Sequence, residues 1–267
     1  MGRYSSNPAK IGRMLIKKFS VVVVLAVLIL SGCATSREAH EQRRKEQSAQ
    51  QLYTEAQSSM KVGNWRTAVE KLERLDSLYP FGAFSQQAQL DLIYAYYQNN
   101  DTESAVSAAD RFIRQNPRHS HLDYVYFMKG LVHFYSELGF LREAFAAELS
   151  QRDASTASKA FGDFAELIKR YPDSPYAADA RQRMVYLRDR LAAHELHVAD
   201  YYIKREAWLA AANRARNVIE HFPGAANTPE ALIIMVESYE KLGMTELANE
   251  SRKVLAHNYP NRVADID

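Results

Sequence analysis

Apolar residues follow two different patterns along this 267-residue chain. Near the amino terminus they form one unbroken run, Val21–Leu30, which basic residues precede. From about Ala49 onward they recur at helical spacing among Glu, Gln, Lys and Arg. This spacing places them on one face of an α-helix, so it predicts an all-helical body behind an apolar leader. The low glycine content and the abundance of Ala, Leu, Glu and Gln favour helix as well.

A recurring pair of residues divides the helical part. Five prolines end apolar helical stretches, and an alanine stands twelve residues before each of them. The pairs are Ala68 and Pro80, Ala105 and Pro117, Ala160 and Pro172, Ala211 and Pro223, and Ala248 and Pro260. A small side chain lets two helices approach closely, and a proline cannot continue a helix. Helix-turn-helix units of about 34 residues with these features are the signature of tetratricopeptide (TPR) repeats.

We therefore predict an all-α fold, a TPR α-solenoid of five helix-turn-helix repeats over residues 49–267. The repeats are expected at about 49–82, 85–119, 122–173, 174–225 and 228–262. Successive prolines are 37, 55, 51 and 37 residues apart, so the third and fourth repeats are long. The third has about eighteen extra residues, Ser136–Asp153, between helices predicted at Tyr124–Tyr135 and Thr156–Tyr171. In the fourth, one long helix is predicted over Pro175–Lys204.

Turn and cap residues support individual repeats unequally. Gly63 and Gly243 stand at the turn between the two helices of the first and last repeats, whereas Asn100 and Glu206 occupy the corresponding places in the second and fourth. The pairs Ser174-Pro175 and Thr228-Pro229 predict helix starts, with a capping hydroxyl before a proline at the first helical position.

TPR geometry places the residues of the concave groove on one face of the first helix of each repeat. In the first three repeats these positions are mostly aromatic or leucine: Tyr53, Leu90, Tyr94, Tyr97, Tyr124, Phe127, Leu131 and Phe134. In the last two they include Asp200, Glu230, Glu237 and Glu240. Exposed apolar patches mark interaction sites, so the aromatic half is a candidate surface for an extended, aromatic-bearing peptide. The alternative is that these side chains are core, as aromatic stripes at helical spacing usually are.

The single cysteine, Cys33, ends the string Leu30-Ser31-Gly32-Cys33 directly after the apolar run. The basic Lys17 and Lys18 and an apolar stretch of about a dozen residues predict a signal peptide over residues 1–32, too short for a good membrane span of roughly 20 residues. The string resembles the lipobox of bacterial lipoproteins. This resemblance implies cleavage before Cys33, a diacylglyceryl group on its sulfur and an acylated amino terminus. Ala34 in place of aspartate implies the outer membrane.

Two alternatives concern the amino terminus. One is an uncleaved anchor helix; the other is a start at Met14 instead of Met1, which leaves the signal intact. Residues 33–48 are charged and are predicted to be a lipidated tether.

Cleavage reverses the sign of the net charge. The first 32 residues carry five basic and no acidic side chains, which leaves 29 basic and 32 acidic ones, a net charge of about −3. A nucleic-acid-binding domain is expected to be strongly basic, so the composition speaks against nucleic acid as a partner. With no pair of cysteines, an exported protein must be stabilised by packing alone.

The sequence contains no motif for catalysis or cofactor binding. It has no Gly-x-Ser-x-Gly elbow, P-loop or dinucleotide fingerprint. His194 and His197 are three residues apart and miss the His-Glu-x-x-His pattern, and His119 and His121 fall in a predicted loop. We therefore expect no enzyme activity, no cofactor and no metal.

Several local strings carry a more specific resemblance. They are Gly63-Asn64-Trp65-Arg66, Tyr79-Pro80-Phe81-Gly82, Leu90-Asp91-Leu92-Ile93-Tyr94-Ala95-Tyr96-Tyr97, Asp110-Arg111-Phe112-Ile113-Arg114, Asp189-Arg190-Leu191-Ala192, Tyr201-Tyr202 and Asn213-Arg214. Across almost the whole mature chain they resemble the TPR lipoproteins of the outer-membrane β-barrel assembly machinery.

That resemblance implies a non-enzymatic scaffold, anchored in the inner leaflet of the outer membrane and facing the periplasm. It implies partners as well: the periplasmic domains of the barrel subunit, accessory lipoproteins, and the carboxyl-terminal peptides of unfolded outer-membrane proteins. Arg214 is the implied contact to the barrel subunit; the alternative is an ordinary exposed arginine.

Two other functions are compatible with the sequence. A TPR lipoprotein could instead coordinate peptidoglycan synthesis or cell division. An enzyme, such as a peptidoglycan hydrolase, could use groove carboxylates such as Glu237 and Glu240.

The processing at Cys33 can be tested by mass. We expect the protein extracted from membranes to lack residues 1–32 and to carry three acyl chains, because the lipobox cysteine accepts two on sulfur and one on nitrogen. The Cys33→Ser variant should keep its full length and carry no acyl chain. An uncleaved, unacylated parent protein would contradict the lipobox prediction.

Overall fold

A computed structural model describes residues 41–143 and 153–265, with the side chains of 140–143 excepted. The predicted signal peptide, Cys33 and residues 144–152 of the insertion lie outside the described residues. The fold class is all-α, as predicted, and of TPR type. The helices are α1 (41–61), α2 (Trp65–Leu78), α3 (Ser85–Gln98), α4 (Thr102–Gln115), α5 (Leu122–Glu143), α6 (Ser155–Arg170), α7 (Ala177–Ile203), α8 (Trp208–His221), α9 (Thr228–Lys241) and α10 (Thr245–Asn258). A 3₁₀ helix, Pro260–Asp265, follows.

The chain divides into two compact units, Met1–Ala88 and Gln89–Asp267, with the division inside α3. In the first unit α1 and α2 form a helical hairpin. Its turn is made by Gly63, at φ +72°, and by Asn64, whose side chain accepts a hydrogen bond from the Thr67 amide at 3.3 Å. Lys71 and Glu55 form an ion pair between the two helices at 2.5 Å. In the second unit each helix packs mainly on its neighbours in sequence, from α4 to α10.

The alanines of the repeat are fully buried, as their proposed role in helix packing requires. Ala68, Ala105, Ala160, Ala211 and Ala248 show at most 1 % of their surface. The helices that contain them end two residues before the corresponding prolines, at Leu78, Gln115, Arg170, His221 and Asn258. Both halves of the sequence signature therefore have the predicted structural effect.

The turn between paired helices has one geometry in the four repeats where it is described. Gly63, Asn100, Glu206 and Gly243 have φ values of +72°, +59°, +57° and +69°. In each case the amide of that residue donates to the carbonyl three residues earlier, and the next amide donates to the carbonyl five residues earlier. Asn100 and Glu206, which depart from the usual glycine, therefore adopt the same left-handed conformation.

The long fourth-repeat helix is confirmed, because α7 runs from Ala177 to Ile203 without a break. Its start differs from the prediction by two residues. Ser174 does not cap a helix that begins at Pro175; its hydroxyl donates to Asp123 at 2.8 Å and accepts from the Tyr176 amide at 3.2 Å. Likewise Thr228 is the first residue of α9 instead of its cap, and its hydroxyl donates to the Ala225 carbonyl at 2.7 Å.

Two segments that lie outside the predicted helices, the tether and the insertion, are partly helical. Residues 41–48, assigned to the tether, belong to α1, because Glu, Gln, Arg and Lys are good helix formers even without a buried face. The third repeat's first helix, predicted to end at Tyr135, continues as α5 to Glu143. Glu137 in this extension forms a buried ion pair with Arg190 of α7 at 3.1 Å, which holds the extension against α7. No helix within 41–143 or 153–265 is both long and apolar enough to cross a membrane.

Gly130 of α5 packs very closely against α6. A Cβ atom at this position would lie 2.5 Å from the ring of Phe164 in α6, far inside van der Waals contact. Phe164 is completely buried, so the ring has little freedom to move away.

We therefore expect Gly130→Ala to lower the free energy of unfolding by about 1–3 kcal/mol, the usual cost of overpacking a core. Gly139→Ala is the matched control, because it lies in the same helix and its Cβ would meet nothing within 4 Å. That control should be neutral or slightly stabilising, since alanine favours helix over glycine. Thermal or urea unfolding of both variants measures these changes in stability. An unchanged free energy of unfolding in Gly130→Ala would show that the α5–α6 contact is not tight.

Candidate functional site

The predicted groove residues fall into four structural classes. Tyr53, in the first unit, is half-buried, and its ring stacks on Phe84 at 5.3 Å. Its hydroxyl accepts a hydrogen bond from the Gln57 amide nitrogen at 3.0 Å. Tyr53 is thus a partly accessible ring, held in place by a neighbouring ring and an amide.

The second class is buried. Leu90 of α3 lies in the core with Ile93 and Phe112. Phe127 and Phe134 of α5 lie in the next core cluster, against Phe164 at 6.1 and 6.4 Å. In this conformation these side chains are packing residues, and a peptide in the groove could not reach most of their surface.

The third class, Tyr124 and Leu131, is half-buried and borders the core cluster of Leu90 and Phe112. Burial, followed by the nearby carboxylate of Asp91, raises the pKa of Tyr124. Tyr176, the residue before α7, lies beside two aromatic residues of α5, with its ring 5.9 Å from Tyr124 and 4.8 Å from Phe127.

The fourth class consists of Tyr94 and Tyr97, whose partly accessible rings adjoin a third tyrosine. Tyr94 and Tyr97 of α3 are half-buried, with ring centroids 6.3 Å apart. Tyr97 lies 5.9 Å from Tyr135 of α5, which is 44 % exposed. We call Tyr94, Tyr97 and Tyr135 the tyrosine patch. An open cleft of about 260 Å³ adjoins it, lined by Tyr97, Asn100, Thr102, Val132, Tyr135, Ser136 and Gly139.

A cation borders the tyrosine patch. The guanidinium of Arg183, in α7, lies over the rings of Phe134 and Tyr135, at 4.8 and 5.3 Å from their centroids. Two hydrogen bonds to the Asp179 carboxylate, at 3.0 and 3.1 Å, fix its orientation. The patch therefore combines accessible rings with a positioned positive charge.

Tyr135 and Arg183 were not among the predicted groove residues. Tyr135 falls one position beyond the predicted helix face, and it reaches the patch because α5 continues past it. Arg183 comes from a different repeat, 48 residues later in the chain. In the sequence, Tyr135 is marked only by its position next to Phe134, and Arg183 only by its place in the long helix. Neither signal distinguishes these residues from their neighbours.

Arg214, the predicted contact to a barrel subunit, lies on α8 with 44 % of its side chain exposed. Its guanidinium donates to Glu195 of α7 at 3.2 Å, and this hydrogen bond raises its pKa. It borders an open cleft of about 520 Å³, lined by Tyr202, Ala210, Asn213, Arg214, Arg216, Asn217 and Glu220. The cleft thus presents two arginines and two amides at the surface.

The carboxylates of the last repeat are exposed. Glu230 pairs with Arg262 at 3.1 Å, and Glu240 pairs with Arg252. No group of His, Cys, Asp and Glu side chains that could hold a metal ion occurs in the part of the chain that the structure describes. The histidine pairs of the sequence lie within that part: His194 and His197 on α7, and His119 and His121 in the α4–α5 loop.

Comparison with known proteins finds similarity over most of the chain. The family model "YfiO: Outer membrane lipoprotein" matches residues 45–255. The "Outer membrane protein assembly factor BamD" of Vibrio cholerae is 42 % identical over 235 residues, 88 % of this chain and 96 % of that protein. The protein of the same name from Neisseria meningitidis serogroup A is 40 % identical over 246 residues, 91 % of this chain and 92 % of its own.

A more distant relative extends the match further along the chain. The BamD of Haemophilus influenzae is 34 % identical over 252 residues, and the alignment covers 94 % of both chains. The chain therefore belongs to the YfiO family of outer membrane lipoproteins, with the BamD assembly factors among its relatives.

Proposed function

We propose that this protein is a non-enzymatic, lipid-anchored scaffold that promotes the folding and insertion of outer-membrane proteins. It acts within the β-barrel assembly complex, by binding the barrel subunit and substrate peptides. The observation that carries the proposal is the match to proteins named outer membrane protein assembly factor over about nine tenths of the chain. The mechanism is binding and presentation, with no bond chemistry.

The lipobox string Leu30–Cys33 and the family description as outer membrane lipoprotein support the proposed location. Acyl chains on Cys33 anchor the protein in the inner leaflet of the outer membrane, so that the helical repeats face the periplasm. Two or more acyl chains give stable attachment, whereas one alone binds only marginally.

The tyrosine patch is the proposed site for substrate peptides. Its accessible rings at Tyr94, Tyr97 and Tyr135 can stack on an aromatic side chain. Arg183 at its border adds a positive charge. A peptide that ends in an aromatic residue and a free carboxylate matches this combination, and the carboxyl termini of unfolded outer-membrane proteins are the proposed ligands.

Arg214 is the proposed contact to the periplasmic domains of the barrel subunit. Its pairing with Glu195 leaves nearly half of the side chain exposed beside a polar cleft. An arginine so placed can form a charge-assisted hydrogen bond to a carboxylate of a partner. The same surface could also meet accessory lipoproteins. No observation favours a role in peptidoglycan synthesis or cell division.

The peptide site predicts a binding defect without unfolding. We expect Tyr94→Ala and Tyr97→Ala each to weaken binding of a peptide with an aromatic carboxyl terminus by about tenfold, or ~1.4 kcal/mol, because each removes one stacking ring. Tyr201→Ala is the control, since Tyr201 of α7 is an exposed tyrosine that lies outside the patch. Fluorescence anisotropy gives the affinities and circular dichroism the helix content. Equal affinity of all variants would remove the patch from the peptide site.

The assembly role predicts a stable complex in membranes. Affinity purification from detergent-solubilised membranes should recover the barrel subunit with the parent protein and much less of it with Arg214→Glu, which repels a partner carboxylate. Arg170→Glu is the control, because Arg170 on α6 is similarly exposed and pairs with Glu166.

Recovery of no barrel-assembly subunit with the parent protein would refute the proposed function. A complex that Arg214→Glu leaves intact would refute only this contact. Depletion of the protein distinguishes a role in assembly from a role in cell division. Loss of outer-membrane barrels supports assembly, whereas division defects with normal barrels support cell division.

A further inference from the structure

Phe81 is the most exposed large apolar side chain of the described residues, with 99 % of its surface accessible. It stands at the tip of the loop that joins α2 and α3. The loop is fixed by hydrogen bonds: the Gly82 amide donates to the Tyr79 carbonyl at 3.1 Å, and the Ser85 hydroxyl donates to the Pro80 carbonyl at 2.5 Å. Phe81 is therefore held outward by an ordered turn.

This loop lies against the first turns of α1. An open cleft of about 250 Å³ separates them, lined by Gln42, Lys45, Glu46, Ala49, Tyr79, Pro80, Phe81, Gly82, Ala83 and Phe84. The cleft rim carries one cation, Lys45, and one anion, Glu46, so its charges balance. All of these residues belong to the first compact unit.

Chain length ties this loop to the lipid anchor. Only eight peptide units separate Cys33 from residue 41, where the described part of α1 starts. Eight units reach at most ~28 Å even when fully extended. Val62, at the far end of α1, is 21 residues further along, or ~31 Å along the helix axis. The Phe81 loop thus adjoins the end of the hairpin that the anchor keeps near the bilayer.

We propose that Phe81 inserts into the interface of the bilayer that holds the acyl chains, as a second point of membrane contact. This inference rests on the proposed lipid anchor. A projecting aromatic ring suits a lipid interface, where its apolar body leaves water. Residues 34–40 of the chain itself offer only alanine as apolar side chains, so they supply no large group to cover the ring. With balanced charges at the rim, the contact is apolar and insensitive to salt.

A second contact has a functional consequence. A lipid anchor alone restrains one point of the chain and leaves α1 free to adopt any angle to the bilayer. Contact at both Cys33 and Phe81 fixes the end of the α1–α2 hairpin at the membrane surface. The far end of the hairpin, with Val62, then points into the periplasm.

The single native cysteine makes this measurable in the full, lipidated protein. Because lipid occupies the Cys33 sulfur, Phe81→Cys introduces one reactive thiol, which is labelled with the fluorophore NBD. Val62→Cys is the matched control, since Val62 is 79 % exposed in the same unit but at the far end of α1. Both labelled proteins are reconstituted into vesicles of phosphatidylethanolamine and phosphatidylglycerol in equal parts, with and without doxyl-labelled lipid.

We expect the label at position 81 to shift its emission to the blue and to be quenched by doxyl lipid, at low and high salt alike, while the label at position 62 reports water. Proteins that float with the vesicles but show the same aqueous emission at both positions would overturn this inference and leave the anchor intact. Proteins that do not float with the vesicles would overturn the anchor and this inference together, and co-purification with the barrel subunit would then test the assembly role separately.

Discussion

Close approach of paired helices at small residues is the constraint on which the rest of this structure depends. Each of the five repeat alanines is fully buried. A larger side chain at such a position would separate the helices by more than the neighbouring side chains could fill, because protein interiors are packed as densely as crystals. Gly130 against Phe164 is the extreme case, where even a methyl group has no room. Larger core residues such as Leu72 are buried because the small residues let the helices approach closely enough to enclose them.

The packing of the helices determines the conformation of the turns more than the turn residues determine the packing. Glycine suits a left-handed turn, and it occurs at Gly63 and Gly243. Glu206 adopts the same conformation at a conformational cost of about 1 kcal/mol. It does so because α7 and α8, on either side of it, must pack together at the buried Ala211. Local preference and repeat geometry disagree at this position, and the geometry decides the outcome.

Buried and partly buried polar contacts connect the core to the candidate site. Asp163 of α6 contacts His133 at 2.6 Å and Lys129 at 3.3 Å, and Lys129 reaches Asp110 of α4 at 2.9 Å. With the pair of Glu137 and Arg190, these contacts link α5 to three other helices. Breaking one side of a buried pair is strongly destabilising, so such pairs fix which surfaces meet. They determine where α5 presents Tyr135, and thereby form one side of the tyrosine patch.

What the sequence could predict is what depends on neighbours along the chain. A proline cannot continue the helix that precedes it, and an alanine twelve residues earlier marks a close helix crossing. The ends of the second helices and the pairing of helices were therefore predictable. The exposure of the aromatic stripe was not. Phe127 and Phe134 lie on the predicted face, yet Tyr176 and Arg183, about fifty residues later, cover them. Tyr97 shares that face and keeps an accessible ring, because its neighbour there is Tyr135 on the edge of a cleft. Helical periodicity tells which residues face the same way, and only the packing of distant helices decides which of them a partner can touch.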